Sequence, residues 1–80
     1  MKTREIRYDE LKVNDVILFH SAKVRIVDVK QYLPTDATED IVVRFTIAPY
    51  DEQAVKVLGS FYANGTYGGN ADLKAILIER

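Results

Sequence analysis

In residues 41–48, every second side chain is large and apolar, and this is the most regular alternation in the 80-residue chain. No other stretch constrains the fold as tightly. The odd-numbered members are all large and apolar, namely Ile41, Val43, Phe45 and Ile47. Successive side chains of a β-strand point to opposite faces, so this period of two predicts a strand that buries these four. The even-numbered members, among them Arg44, are then expected to face outward. A strand with one buried face needs a sheet around it, and the sequence therefore predicts a β protein.

A second strand is predicted over residues 22–32, and its alternation changes phase in the middle. Val24 and Ile26 share one face, but from Val27 and Val29 onward the apolar residues have moved by one position. One extra residue in one strand of a pair produces such a shift, which is the definition of a β-bulge. We therefore expect a bulge near Ile26 and Val27 that bends the strand and lets a small sheet fold over on itself.

Further short strands are indicated by runs rich in β-forming residues, at positions 16–19, 54–62 (with a bend at Gly59) and 73–78. Residues 4–8 suit a short edge strand or an extended arm, and residues 9–11 are expected to form one helical turn at most. Short strands at spacings of roughly ten residues are typical of small barrels or sandwiches. The sequence thus predicts an all-β fold, a five- or six-stranded antiparallel barrel with strongly bent strands and no long helix, as a single domain over residues 1–80.

Several turns connect these predicted strands. Residues 20–23 supply a short reversal, and Pro49 ends the strand before it because proline lacks a ladder donor. Asn64 and Gly65 both accept positive φ, which predicts a type I′ hairpin turn there. Residues 67–70, Tyr-Gly-Gly-Asn, are expected to form another flexible turn.

The turn that leads into the strand at 16–19 supports a resemblance to a known family. Leu11, Val13, Asp15 and Val16 surround Asn14, which stands where many related domains have glycine and which tolerates the left-handed backbone. Together with the number of strands, this turn resembles the opening of Src-homology-3-like small barrels. The resemblance implies the barrel fold and carries over no functional residue.

Composition excludes several classes of protein. Eleven Lys and Arg against twelve Asp and Glu give a formal net charge of −1, so no overall field attracts nucleic acid or anionic lipid. The absence of cysteine excludes disulfides and thiolate metal sites. No apolar run reaches the length of a membrane span or a signal peptide. We therefore expect a cytoplasmic protein that does not enter a membrane.

No catalytic constellation is evident, so we expect no enzyme, no catalytic residue and no cofactor. His20 is the only histidine, and its place in a predicted reversal favours a turn or surface role over acid–base catalysis. A triad of His20 with Ser21 or Ser60 and an aspartate has no support from spacing. The acidic residues Asp36 and Glu39, with Asp40, favour a solvated loop over a calcium site, so no metal is expected.

Two motifs near the C-terminus have simple structural explanations. Asn64-Gly65-Thr66 matches a glycosylation acceptor, but the predicted hairpin accounts for it. Gly65, Gly68 and Gly69 could expose amides to a phosphate with Lys74 nearby, but Asp72 would repel the anion. Glycine in turns is the favoured interpretation.

The tyrosines give the leading functional hypothesis. Tyr32, Tyr50, Tyr62 and Tyr67 fall in or beside predicted loops, where exposed rings can bind a partner peptide. The alternative is that they are half-buried residues at the rim of the barrel. We expect a non-enzymatic module that binds an unknown protein or peptide, accessory to a larger complex, as a monomer or a weak homo-oligomer.

The rival hypothesis is a barrel that binds single-stranded nucleic acid. Lys23, Arg25, Lys30 and Arg44 all occupy predicted outward positions, and Tyr32 could stack on a base beside them. Outward lysine and arginine also keep an edge strand soluble, so both interpretations stay open at this point.

Overall fold

The structure of the protein, a computed structural model, describes residues 3–33 and 41–79. Six strands contain most of them: β1 (Arg4–Arg7), β2 (Val16–Phe19), β3 (Ala22–Tyr32), β4 (Val42–Pro49), β5 (Thr66–Asn70) and β6 (Lys74–Glu79). One seven-residue helix, α1 (Glu52–Leu58), and two 3-10 turns, at Tyr8–Glu10 and Tyr62–Asn64, complete the described part. The predicted small all-β fold is confirmed, and the described residues contain no longer helix.

The six strands form one antiparallel sheet in the order β1-β6-β2-β3-β4-β5. One side of the sheet buries an apolar cluster, made of Ile6, Leu11, Ile17, Val24, Ile26, Phe45, Ile47, Ala75 and Leu77. We call the opposite side of β3, β4 and β5 the outer face. β1 and β5 are the two ends of the strand order. Closure of the sheet into a barrel and the Src-homology-3-like resemblance stay predictions.

The predicted alternation in β4 is confirmed for three of its four inward residues. Val43, Phe45 and Ile47 are at most 1% exposed. Ile41 precedes β4 and is 36% exposed, so the prediction is wrong for this residue. The strand ends at Pro49 as predicted.

The predicted bulge in β3 is confirmed at Val27. Ile26 pairs with Ile47 and Asp28 pairs with Thr46, which leaves Val27 outside the register. The turn before β2 is fixed to this point, because the Asn14 N–H donates to the Ile26 carbonyl over 2.8 Å. Asn14 has φ of 79°, the left-handed backbone that the sequence predicted there. The bend of β3 and the start of β2 therefore depend on each other.

A tight hairpin turn lies between β2 and β3. His20 and Ser21 have φ of 47° and 70°, and two central residues with positive φ are what a type I′ turn requires. The same turn predicted at Asn64 and Gly65 is wrong. Asn64 ends a 3-10 turn and Gly65 has φ of −84°. The Asn64 side chain donates instead to the Ser60 carbonyl over 2.8 Å.

The strand predicted over residues 54–62 is also wrong, because α1 occupies most of this segment. The Asp51 side chain accepts from the Ala54 N–H over 3.0 Å and caps the helix, and Gly59 ends it with φ of 81°. Ala54 is buried and Leu58, four residues later, packs against the core. That spacing of four places both on one helical face, which outweighs the β preference of Val55 and Val57.

Residues 67–70 form most of β5, so the flexible turn predicted there is wrong. Tyr67 pairs with Phe45, Gly68 with Arg44 and Gly69 with Val43. The glycines therefore belong to a strand at the end of the sheet, and this strand forms part of the site described next.

Candidate functional site

A groove of about 370 Å³ lies where β4 meets β5. It is lined by Val42, Arg44, Thr66, Tyr67, Gly68 and Gly69. Arg44 and Gly68 are opposite one another in the ladder and therefore share the outer face. Because Gly68 has no side chain, no atoms beyond the main chain cover the sheet at this position, and the main chain forms the floor of the groove.

Glycine is required at position 68 by the close approach of β4. A Cβ there would overlap the main-chain oxygen of Val43 and would lie 3.1 Å from Cγ of Arg44. The groove is therefore a consequence of backbone packing.

Arg44 provides the charge of the groove. Its guanidinium lies 5.8 Å from the centre of the Tyr32 ring, and Lys30 is its ladder partner on β3. Among the described residues, no carboxylate lines the groove. Arg44 is exposed and forms no ion pair or hydrogen bond with any residue in 3–33 or 41–79. An exposed guanidinium can donate to an anionic group in a ligand.

β5 also exposes part of its main chain. Ile47 N–H donates to the Gly65 carbonyl over 3.0 Å, and Ala71 N–H donates to the Ile41 carbonyl over 2.8 Å. Antiparallel ladders alternate, so the odd-numbered residues of this segment point their main-chain groups toward β4. Thr66 and Gly68 consequently point theirs away from it, and both residues are exposed. We call the outward main chain of Thr66 and Gly68 the open edge.

The other end of the sheet is different in character. β1 has the sequence Arg-Glu-Ile-Arg, and charged side chains discourage pairing with a further strand. β5 has the sequence Thr-Tyr-Gly-Gly-Asn, with no charge and no proline. The open edge therefore lacks the two sequence features that most often block strand pairing.

Tyr50 lies at the other end of the outer face. Lys23 Nζ and the Arg25 guanidinium are each 5.6 Å from the centre of its ring. Its hydroxyl donates to the Glu79 carboxylate over 3.4 Å. This tyrosine is 37% exposed, and its surroundings combine both signs of charge.

Tyr62 and Tyr67 do not flank one face, as the predicted hairpin required. Tyr62 is 60% exposed and stacks edge-on with Phe61, which is 82% exposed. Tyr67 packs against the core, with its ring centre 4.6 Å from that of Phe19. Its hydroxyl donates to the Tyr62 carbonyl over 2.7 Å. Tyr67 thus fits the alternative that the tyrosines are half-buried structural residues, whereas Tyr62 is accessible to a partner.

The four basic residues of the nucleic-acid hypothesis all reach the outer face, but in two groups. Lys23 and Arg25 surround Tyr50, while Lys30 and Arg44 lie beside Tyr32. Between the groups, the outer face carries the Asp28–Thr46 pair. The face therefore has two aromatic and basic clusters separated by an acidic residue.

Of the remaining candidates, only some lie in the part of the chain that the structure describes. His20 lies exposed in its turn, with its ring edge-on to Phe19 at 4.5 Å. Asp36, Glu39 and Asp40 fall outside the described residues. In the part of the chain that the structure describes, no group of three potential metal ligands comes together.

The sequence allowed an open edge strand that extends the sheet in a homo-oligomer, but it did not identify β5 as that strand. Its position at the end of the sheet depends on strand order, which no local pattern encodes. The pair Thr66-Tyr67, both strong β-formers before the glycines, is the one signal that favoured a strand there.

Comparison with known protein families and with curated proteins finds no match to this chain. None of the helices in residues 3–33 and 41–79 is both long and apolar enough to cross a membrane.

Proposed function

We propose that this protein is a small, non-enzymatic interaction module, cytoplasmic and accessory to a larger complex, which binds a protein or peptide at the groove between β4 and β5. The observation that carries the proposal is the combination of an uncharged open edge with a groove in which Arg44 is the one charged side chain among the described lining residues. Main-chain groups at a sheet edge bind extended segments without any catalytic chemistry.

The surroundings of the groove suit binding in two further ways. Tyr32 is 49% exposed and lies against Arg44, and aromatic and arginine side chains are the types enriched where partners contribute most binding energy. Gly68 and Arg44 lie on paired strands, so the groove keeps its shape without a ligand. A preformed site loses little entropy on binding.

Capture of partners from a cell extract tests this proposal. We expect a Tyr32→Ala, Arg44→Ala double variant to retain at most about one fifth of the captured partner, because removing a binding hot spot costs roughly 2 kcal/mol or more. Glu52→Ala, at an exposed position of α1, is the matched control and should capture as the wild type does. Identical sets of partners for the double variant and the wild type, by quantitative mass spectrometry, would refute the proposed surface.

Single-stranded nucleic acid is the second candidate, favoured by the two tyrosines of the outer face that each lie beside cations. Four phosphate contacts predict a slope of about −3 for log K against log salt. Fluorescence anisotropy with short oligonucleotides measures that slope, and Lys56→Gln, on α1, serves as a control that should leave it unchanged. An absence of binding at low salt excludes this candidate.

A further inference from the structure

From the open edge and the groove together we infer that the partner binds as an added β-strand along β5, and that it places an acidic side chain opposite Gly68. The inference rests on the proposed function and specifies its ligand as an extended peptide segment with a carboxylate. It follows from the ladder pattern, the absence of a side chain at position 68 and the exposed charge of Arg44, which forms no ion pair with any described residue.

The main chain sets the position of the added strand. Thr66 and Gly68 alternate with residues that bond to β4, so their N–H and C=O groups face outward at the spacing of a strand. An extended segment can pair with both residues. At the next outward residue, the Asn70 carbonyl already accepts from the Leu73 N–H over 3.1 Å, which limits how far the pairing extends. The register of the added strand is therefore centred on Thr66 and Gly68.

The outer face then determines which side chain fits opposite Gly68. Directly opposite residues in adjacent strands share a face, so a partner residue paired with Gly68 points to the same side as Arg44. The added strand lies two strand spacings, about 10 Å, from β4. Since Gly68 places no side chain in between, Arg44 and a glutamate or aspartate of the partner can meet across it.

Charge selects the acid over other side chains. Arg44 is exposed, with Lys30 as its ladder partner, and none of the described residues that line the groove is a carboxylate. A lysine or arginine in the partner would meet two like charges, and a neutral side chain would leave the guanidinium without an anion. A carboxylate can accept charge-assisted hydrogen bonds from Arg44.

A displayed library of random nine-residue peptides, selected on the full-length protein, provides the probes. We expect enrichment of β-branched residues in alternation with one acidic residue. The enriched peptides are synthesised with glutamate at that position or with glutamine in its place. Glutamine should weaken binding about three- to fivefold, since an exposed ion pair contributes modestly. No enrichment, or equal binding of both peptides, overturns the inference.

Thr66→Pro tests the main-chain part. Proline removes the outward N–H without breaking a bond to β4, it is tolerated at the first residue of a strand, and Gly65 already has the extended ψ of 172° that precedes proline. We expect at least about fivefold weaker binding from the lost hydrogen bond. Thr66→Val, which keeps the N–H, is the matched control and should bind as the wild type does.

A measurement on the wild-type protein is independent of how these variants fold. Bound peptide should slow hydrogen exchange of the Thr66 and Gly68 amides at least tenfold, because both become ladder donors. If enriched peptides bind Thr66→Pro and Thr66→Val equally and leave these amides unprotected, strand addition is wrong while the interaction module stands. The proposed interaction module is refuted by a different result, namely capture of identical partners by the wild type and the Tyr32→Ala, Arg44→Ala double variant.

Discussion

A Cβ on Gly68 would overlap the carbonyl oxygen of Val43, so β4 and β5 can pair as they do only with glycine at this position. We expect Gly68→Ala to lower the free energy of unfolding by about 1 to 3 kcal/mol, since overlap with main chain forces the strands apart. Urea denaturation measures this.

The control for that substitution lies in the same strand. Thr66→Ala removes only an exposed hydroxyl contact to Thr46, at 2.9 Å, and should cost about 0.5 kcal/mol. If Gly68→Ala is no more destabilising than Thr66→Ala, the close approach of β4 is not what requires glycine.

Tyr67 and Tyr62 should respond differently to truncation, although both were candidates for the same binding role. Tyr67→Ala removes a ring packed against Phe19 and should cost about 2 to 4 kcal/mol. Tyr67→Phe removes only the hydrogen bond to the Tyr62 carbonyl and should cost about 1 kcal/mol. Tyr62→Ala should change stability by less than about 0.5 kcal/mol, because this ring is 60% exposed.

Thermal unfolding of the three tyrosine variants compares them directly. Equal loss of stability for Tyr62→Ala and Tyr67→Ala would contradict the assignment of Tyr67 to the core. Of these two tyrosines, Tyr62 is therefore the one that can be replaced in a binding experiment without loss of stability.

Asp51 should stabilise α1 as its N-terminal cap. Asp51→Ala leaves the Ala54 N–H without its acceptor and should cost about 1 kcal/mol, whereas Asp51→Asn keeps an acceptor and should cost less. Hydrogen exchange of the Ala54 amide should be faster in the alanine variant. An unchanged exchange rate would show that another group caps this helix.

Asp15 is the only charged side chain in the buried part of the described residues, at 2% exposure, and it fixes the turn before β2. Its carboxylate accepts from the Lys12 N–H over 2.9 Å. We expect Asp15→Ala to cost about 1 to 3 kcal/mol and Asp15→Asn less, because the amide oxygen still accepts. Asp72→Ala, at an exposed position, is the control and should have no effect beyond about 0.5 kcal/mol.

The sequence predicts the middle of the sheet well, for a physical reason. β3 and β4 bury alternate residues, so their apolar residues follow the strand period, and the extra residue in β3 is visible as a change of phase. Asn14 could be identified because few residue types accept positive φ.

The errors fall where tertiary contacts override local preference. Val55 and Val57 favour a strand, but the cap at Asp51 and the contact of Leu58 with the core decide for a helix. Gly68 and Gly69 favour a turn, but β4 provides the pairing that makes them a strand. The binding edge could not be predicted, since it exists only once the order of strands is known.

Val27 is one residue more than the ladder of β3 needs. Its neighbours Ile26 and Asp28 pair with Ile47 and Thr46, which are adjacent on β4. Deleting Val27 would keep each of those partners and straighten the strand. Val27 therefore affects the curvature of β3, whereas the alternation of the residues around it determines which side chains are buried. A deletion of one residue at this position can change the shape of the sheet while the same side chains stay buried.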